Sequence, residues 1–325
     1  LNLLAGRLAE AWLDYPQARR RVAAVPAGPP IFLTGTHRSG TTWLAKMLAA
    51  SGIWYVHEPF APMKGRWSES FSYRRSDEPD HEVDALIQDV LAGRFRSALS
   101  IPNSDHPLMP LRLFGANFGR LLIKDPLACL LGNYLTARHG LQTLVLFRHP
   151  AGFVSSVCRL GWPRVEFLRQ FLADERLMAD HLEPYRSQIE RFSRAESIES
   201  AAVLHGALNV VLWSNVRAGT GTAVQYEELC RDPLDGLQGL HHLLGLPYDD
   251  QVREFQRAAC FGPPKRVDTY HPHGISRNSL ASAESWKCQL SLDDALVVRR
   301  IWDLFEVPLY RDAQDWSLAS AGGPD

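Results

Sequence analysis

The chain has 325 residues, of which 46% are hydrophobic and 22% are charged, and its formal net charge is −1. This composition is that of a globular protein and excludes collagen-like, low-complexity and disulfide-stapled small proteins. A nearly neutral chain lacks the overall positive field of a typical nucleic-acid-binding protein, so we expect no nucleic-acid partner. The length is sufficient for one large domain with a sizeable core.

The cysteines and the apolar runs bear on where the protein works. Its five cysteines are widely spaced and form no C-x-x-C pair, which indicates free thiols in a reducing compartment. No apolar run reaches the ~20 residues that a membrane-spanning helix needs. Residues 1–25 have the apolar stripe of an amphipathic helix rather than the pattern of a signal peptide. The sequence therefore predicts a cytoplasmic protein with no membrane span in this chain.

Short apolar runs alternate with helical patterns along most of the chain. The runs that are typical of buried strands cover 31–34, 53–56, 121–123, 143–147 and 223–226. Helical patterns follow the first, third and fourth of these runs. Strands that alternate with helices predict a parallel sheet. We therefore expect an α/β fold, in one domain over 1–325, with a central parallel sheet flanked by helices.

Two segments interrupt this alternation. Segment 60–118 is rich in proline, glycine and charge, with one helical stretch near 81–92, and segment 160–217 is long and mostly helical. We expect both segments to be insertions that wall a substrate pocket.

A glycine-rich loop after the first strand gives the strongest functional indication. It runs Gly35-Thr36-His37-Arg38-Ser39-Gly40-Thr41-Thr42 and leads into a helical pattern. Strand, loop and helix form the context of a phosphate-binding loop, because glycines let backbone N–H groups approach an anion and the helix N-terminus adds its dipole. The spacing matches the triphosphate loop G-x-x-x-x-G-K-[ST], except that Thr41 stands at the lysine position. That lysine reaches the β and γ phosphates, so its absence predicts a ligand with one phosphate here, neutralised by Arg38.

Three stretches resemble motifs of one family. Arg38-Ser39-Gly40-Thr41-Thr42-Trp43 resembles the 5′-phosphosulfate loop of sulfotransferases that use 3′-phosphoadenosine 5′-phosphosulfate (PAPS). Arg148, at a strand end, precedes Ser156 by eight residues, as in the family's 3′-phosphate site. Segment 225–233, with its Tyr-Glu-x-Leu and Pro233, resembles the family's Y-E-x-L-x-x-x-P motif.

This resemblance covers roughly residues 30–60, 120–160 and 220–290, in the order of the family. It implies a P-loop-like α/β fold and a sulfotransferase that moves a sulfuryl group from PAPS to a hydroxyl of an acceptor. The acceptor could be a carbohydrate, a small molecule or a tyrosine. The family needs no metal for this transfer.

The resemblance also implies roles for individual residues. The residues expected to hold the 5′ end are Arg38, Ser39, Gly40, Thr41 and Thr42. Those expected at the 3′-phosphate are Arg148 and Ser156, and those expected at the adenine are Trp43 and Tyr226. In the C-terminal loop, the candidates for the 3′-phosphate or the sulfuryl group are Arg277, Ser279 and Lys287.

The catalytic residues implied by the resemblance are Glu58, Lys124 and Arg38. Glu58 lies twenty residues after Arg38, where the tyrosylprotein branch of the family has its base, and Lys124 matches the lysine that helps to hold the sulfuryl group. The cytosolic branch uses a histidine of a K-T-H-L-P segment, which this chain lacks. The motifs are therefore closer to the tyrosylprotein and bacterial branch. His57, beside Glu58, is the competing candidate for the base.

Two other functions remain open at this point. One is an atypical kinase that uses ATP and Mg²⁺, for which Asp125 would be the metal ligand; the absence of lysine at position 41 argues against it. The other is a non-catalytic protein that binds a nucleotide without transferring a group.

Overall fold

The computed structural model describes residues 25–62, 69–92, 120–261 and 278–317. The helix predicted over 1–25 lies outside the described residues apart from its last position, and so does Arg277. Residues 63–68 and 93–118 of the predicted insertion 60–118 are outside them as well.

A five-stranded sheet forms the centre of the described chain. Its strands are β1 Ile31–Gly35, β2 Trp54–His57, β3 Leu121–Lys124, β4 Gln142–Phe147 and β5 Gly221–Gln225. The order across the sheet is β2-β3-β1-β4-β5, and every neighbouring pair is parallel. The predicted α/β fold with a central parallel sheet is confirmed.

The strand order reverses at β1. The chain leaves β1 for β2 and β3 on one side of it and then returns to place β4 and β5 on the other side. Ligands of open parallel sheets bind beyond the carboxyl ends of the strands at such a reversal. The glycine-rich loop, residues 36–40, follows β1 and therefore lies at this point.

Helices connect the strands and cover the sheet. Their bounds are α1 Thr41–Ala49, α2 His81–Leu91, α3 Gly132–His139, α4 Pro150–Leu160, α5 Val165–Ala173, α6 Glu175–Leu177, α7 Arg186–Phe192, α8 Ile198–Arg217, α9 Tyr226–Arg231, α10 Pro233–Leu243, α11 Asp250–Phe261, α12 Ser279–Glu284, α13 Trp286–Gln289 and α14 Leu292–Trp302. Irregular turns are the 3₁₀ helices Cys129–Leu131, Glu183–Tyr185 and Ala313–Trp316 and the π-helix Met178–Leu182. None of the described helices is long and apolar enough to cross a membrane.

Some boundaries differ from those expected from the sequence. The fifth strand ends at Gln225, and Tyr226 begins α9 rather than ending the strand. The helix expected over 127–138 begins only at Gly132, because a 3₁₀ turn at Cys129–Leu131 precedes it. Segment 160–217 is a series of short helical pieces that leads into α8.

Both faces of the sheet are buried along β1 to β4, as is typical of a parallel sheet, whereas in the edge strand β5 only Val224 is buried. In β4, Leu144 and Leu146 pack into one cluster of buried side chains, whereas Val145 and Phe147 pack into another on the opposite face. Successive side chains of a strand point to opposite faces, so this division follows directly from the pleat. Continuous apolar runs in the sequence are the consequence.

Three histidines lie buried among aromatic rings: His37, His149 and His205, each at most 2% exposed. Each stacks on a neighbouring ring at a centroid distance between 4.2 and 5.0 Å. Burial, which disfavours the charged imidazolium, is the largest cause that lowers the pKa of each from 6.5 to about 3. All three histidines are therefore neutral in the folded protein at neutral pH.

The free energy of unfolding is expected to fall as the pH drops from about 6.5 towards about 3. In this window the unfolded chain binds protons at the three histidines and the folded chain does not. Each histidine contributes a slope of at most about 1.4 kcal/mol per pH unit. Urea unfolding at a series of pH values measures the slope.

His205→Gln should remove the contribution of one histidine from that slope, because an amide does not titrate. The glutamine amide can still donate to the carbonyl oxygen of Arg148, which His205 Nε2 contacts at 3.1 Å. His242→Gln, at an exposed histidine, is the matched control. An unchanged slope in His205→Gln would contradict the assignment.

Two helical glycines are expected to respond oppositely to alanine. A Cβ at Gly206 in α8 would lie 2.3 Å from the ring of Phe305, whereas a Cβ at Gly239 in α10 would meet nothing within 4 Å. Gly206→Ala should destabilise the protein by about 1–3 kcal/mol through overpacking. Gly239→Ala should stabilise it by about 0.5–1 kcal/mol through helix propensity. Urea unfolding of both variants tests the packing, and equal shifts would contradict it.

Candidate functional site

The backbone of the glycine-rich loop depends on two glycines. Gly35 has φ +151° and Gly40 has φ +98°, both in the region that side chains disfavour. A Cβ at Gly35 would lie 2.3 Å from the carbonyl oxygen of Leu146 in β4, and a Cβ at Gly40 would lie 2.7 Å from the ring of Tyr226. Glycine at both positions lets the loop lie directly against β4 and Tyr226.

The loop also holds buried polar atoms that no described residue satisfies. These atoms are the hydroxyls of Thr36 and Ser39, both ring nitrogens of His37, and Nε of the neighbouring Arg148. Gly40, the N-cap residue just before α1, has a left-handed conformation, and within the described ranges no side chain caps the first turn of this helix. Buried polar groups are normally paired, and uncapped helix N-termini bind anions. The loop therefore has the donors that an anionic ligand would satisfy.

Side chains from the residue after β4 and from α4 reach this loop. The guanidinium of Arg148 donates to the carbonyl oxygen of Arg38 and lies 5.4 Å from the ring centroid of Tyr226. Nε of Arg38 donates to the hydroxyl of Ser156 at 3.2 Å. The structure thus brings together four of the predicted cofactor-binding residues, although they are far apart in the sequence.

The ends of β2 and β3 carry an ion pair. The Lys124 ammonium, whose residue is 0% exposed, donates to Oε1 of Glu58, and the backbone N–H of Glu58 donates to the carbonyl oxygen of Lys124 at 2.7 Å. Burial lowers the pKa of Lys124, the Glu58 charge opposes this shift, and the positive charge of Arg38 adds to it. The three predicted catalytic residues therefore act on one another electrostatically.

His57 lies beside this pair. Its Nε2 is 3.7 Å from Oε1 of Glu58, and its Nδ1 shares a hydrogen bond of 2.6 Å with the hydroxyl of Tyr55. Both alternatives for the base are therefore at the same place, at the carboxyl end of β2.

Asp125 has a structural role. Its carboxylate is buried and accepts backbone N–H groups of Phe60, Leu127 and Ala128 at 2.8–3.2 Å. Burial and the negative charge of Glu58 raise its pKa to about 7. In the part of the chain that the structure describes, no group of three or more His, Cys, Asp and Glu side chains is arranged to hold a metal ion.

The predicted adenine contacts and C-terminal candidates are placed as follows. Trp43 is 2% exposed and meets Tyr226 edge-on at a centroid distance of 5.7 Å. Ser279 is buried beside the thiol of Cys260, which also lies against Trp43. Lys287 pairs with Glu284 at 2.8 Å on the adjoining helical turns. The structure thus places Ser279 close to Trp43.

Two residues at the site carry no assigned role in the sequence analysis. Glu227 is one of them: its carboxylate accepts the backbone N–H of His149 at 3.0 Å and the hydroxyl of Tyr310 at 2.6 Å. Burial raises the pKa of Glu227. This side chain fixes the segment after Arg148 to the start of α9. The Tyr-Glu motif contains Glu227, but the sequence does not indicate its partners.

His37 is the other. Its ring, within the glycine-rich loop, stacks on Trp162 at 5.0 Å and lies 5.3 Å from Phe71. Trp162 and Phe71 come from the two predicted insertions, which are also joined by a hydrogen bond of 2.8 Å from the Gln170 amide to the carbonyl oxygen of Ser70. The described parts of both insertions therefore meet beside the loop.

Comparisons with known proteins give sequence relatives. No protein-family model matches the chain. It is 27% identical over 174 residues to carbohydrate sulfotransferase 1 of Rattus norvegicus and of Homo sapiens, and 28% identical over 184 residues to that of Danio rerio. These alignments cover 54% or 56% of this chain but only 37% or 38% of the relatives, so the chain spans well under half of their length.

Solved structures are also similar. The sulfotransferase domain from the curacin biosynthetic pathway has 17% identity and a TM-score of 0.45, covering 87% of this chain and 100% of that chain. Mouse sulfotransferase SULT7A1 complexed with PAP has 11% identity and a TM-score of 0.43, covering 87% of each chain. Both TM-scores are below 0.5, so the description of the fold rests on the strand order and pairing given above.

The closer likeness to the tyrosylprotein and bacterial branch stays a prediction. The resemblance to the sulfotransferase family as a whole is confirmed over about half of the chain, by its similarity to the curated carbohydrate sulfotransferases.

Proposed function

We propose that this protein is a sulfotransferase that transfers a sulfuryl group from PAPS to a hydroxyl of its acceptor. The observation that carries the proposal is the meeting of Arg148 and Ser156 with Arg38 of the glycine-rich loop. Cationic and hydroxyl donors are thus available at two adjoining positions, one at the glycine-rich loop and the other at Arg148 and Ser156. It suits a nucleotide with anions at both the 5′ and the 3′ position of its ribose.

The residues present fit such a nucleotide. The unsatisfied hydroxyls of Thr36 and Ser39 and the uncapped first turn of α1 would bind the 5′ phosphosulfate. Arg148, whose buried Nε has no partner among the described residues, would bind the 3′-phosphate together with Ser156. PAPS, when bound, supplies the sulfuryl group and a nucleotide leaving group.

Glu58 would take the proton of the acceptor hydroxyl. It lies at the carboxyl edge of the sheet, on the same side as the loop, and the ammonium of Lys124 keeps a positive charge against its carboxylate. Lys124 and Arg38 would stabilise the negative charge that develops on the transferred group, as cations do in phosphoryl transfer. Each of these roles requires only groups that this chain already brings together.

The acceptor would lie on the side of the two insertions. Phe71 and Trp162 reach the loop from these segments through His37. The curated relatives are named as carbohydrate sulfotransferases, so a carbohydrate hydroxyl is the first acceptor class to test. Tyrosine and small alcohols are the other classes.

The kinase alternative is not favoured. It needs an acidic ligand for Mg²⁺, and Asp125, its candidate, is buried with both carboxylate oxygens accepting backbone N–H groups. A carboxylate in this position stabilises the turn after β3.

We also infer a reducing, cytoplasmic environment. The five cysteines are all free thiols, and three of them are buried within the packed interior. Free thiols persist where the surroundings are reducing.

Adenosine 3′,5′-bisphosphate is expected to bind at least tenfold more tightly than AMP. Charge-assisted hydrogen bonds to the 3′-phosphate are worth about 1.5–3 kcal/mol, which is roughly a tenfold to a hundredfold difference. Isothermal titration calorimetry measures both affinities.

Arg148→Ala should bring the two affinities within about threefold of each other. Arg159→Ala, at an exposed arginine of α4, should preserve the difference. Equal affinities in the unmodified protein would reject the 3′-phosphate site.

Glu58→Gln is expected to lower turnover by about 10²- to 10⁴-fold, because the amide cannot accept the proton of the acceptor hydroxyl. Affinity for adenosine 3′,5′-bisphosphate should stay within about threefold. Transfer of radiolabelled sulfate from PAPS to a panel of carbohydrates, tyrosine peptides and alcohols measures turnover.

Glu82→Gln, at an exposed glutamate of α2, is the control. Undiminished transfer by Glu58→Gln would exclude Glu58 as the base, and no transfer by the unmodified protein would favour the non-catalytic alternative.

A further inference from the structure

Three residues at the end of β2 form a connected series. Tyr55 and His57 are two positions apart in the strand, so both side chains lie on the same face. The Tyr55 hydroxyl is 2.6 Å from Nδ1 of His57, and Nε2 of His57 is 3.7 Å from Oε1 of Glu58. The imidazole thus stands between a phenol and the carboxylate that we propose as the base.

The direction of the hydrogen bond between Tyr55 and His57 follows from the burial of Tyr55. This residue is 2% exposed, and within the described residues its hydroxyl has a hydrogen bond to Nδ1 alone. Burial and the negative charge of Glu58 raise the pKa of Tyr55 far above its ordinary value, so the phenol keeps its proton. If Nδ1 also carried a proton, that phenolic proton would lack an acceptor, at a cost of about 1–3 kcal/mol. Tyr55 therefore donates to an unprotonated Nδ1.

The proton of the neutral imidazole then resides on Nε2. This nitrogen faces the carboxylate of Glu58, so an N–H there points a positive end at a negative charge. The other tautomer would direct a lone pair at the carboxylate. Two independent contacts, one on each ring nitrogen, thus favour the same tautomer.

We propose that Tyr55 is a positioning residue that fixes His57 as the Nε2–H tautomer, so that His57 directs an N–H towards the carboxylate of Glu58 and does not itself act as the base. This inference rests on the proposed sulfotransferase reaction. In that reaction the acceptor oxygen forms a bond to sulfur, the bond from sulfur to the phosphate oxygen of the nucleotide breaks, and the acceptor proton passes to the carboxylate of Glu58. A protonated Nε2 has no lone pair for that proton.

Nuclear magnetic resonance tests the tautomer without any reaction. Long-range proton–nitrogen spectra of the full nitrogen-15-labelled chain, without nucleotide and at mildly alkaline pH, distinguish protonated from unprotonated ring nitrogens. We expect an unprotonated Nδ1 and a protonated Nε2 for His57, whose signals are identified by their loss in His57→Gln. Tyr55→Phe should move the Nδ1 signal towards the protonated position. Tyr73→Phe, which removes another tyrosine hydroxyl bonded to a histidine, His181, should leave the His57 signals in place.

Turnover of two His57 variants tests the function of the tautomer. The amide nitrogen of glutamine can occupy the place of Nε2, whereas that of asparagine lies near the place of Nδ1, and neither amide is a base. We expect His57→Gln to turn over severalfold faster than His57→Asn, since only the glutamine amide can direct an N–H towards the carboxylate of Glu58. Circular dichroism confirms that each variant is folded.

The outcomes separate the two proposals. A protonated Nδ1 in the unmodified protein, or His57→Gln as slow as His57→Asn while Glu58→Gln remains active, would overturn the inference and make His57 the base. The predicted spectrum in a protein that transfers no sulfate would leave the tautomer established and reject the proposed function instead.

Discussion

The contact of the Arg148 guanidinium with the carbonyl oxygen of Arg38 joins the two halves of the candidate nucleotide site. It is available because β1 and β4 are neighbours in the sheet, with Gly35 paired to Leu146, so the loop after β1 and the residue after β4 leave the sheet side by side. Gly35 makes this approach feasible, since any side chain there would collide with the backbone of β4. The positions of Ser156 and Tyr226 depend in turn on this arrangement, because both contact residues of the loop or Arg148 itself.

Desolvation determines the charges at this edge of the sheet. Lys124 is completely buried, and its ammonium is stable there because Glu58 neutralises it. The three buried histidines remain neutral, so they add no charge beside the loop. Arg38 and Arg148 place two guanidinium groups beside the loop. A protein whose formal net charge is −1 thus still presents a locally positive site for an anionic nucleotide.

The sequence was most informative where residue type and local conformation are directly linked. The strands β1 to β4 were predictable because strands buried on both faces are continuous apolar runs bounded by turn residues. The element boundaries that differed depended on longer-range packing. Tyr226 has the β-propensity of an aromatic residue, yet it begins a helix, because its ring packs against Gly40 and Trp43.

The sequence by itself determined the α/β fold, the glycine-rich loop and the residue types that can bind an anion, since these depend on periodicity, backbone freedom and charge, which are local properties. Only the tertiary structure decided which of these residues meet. The strand order brings Arg148 to Arg38 and Glu58 to Lys124, and it buries Asp125 and the three histidines in surroundings that fix their partners and their protonation. The physical reason is that hydrogen bonding and desolvation depend on neighbours in space, and the spacing of residues along the chain does not specify those neighbours.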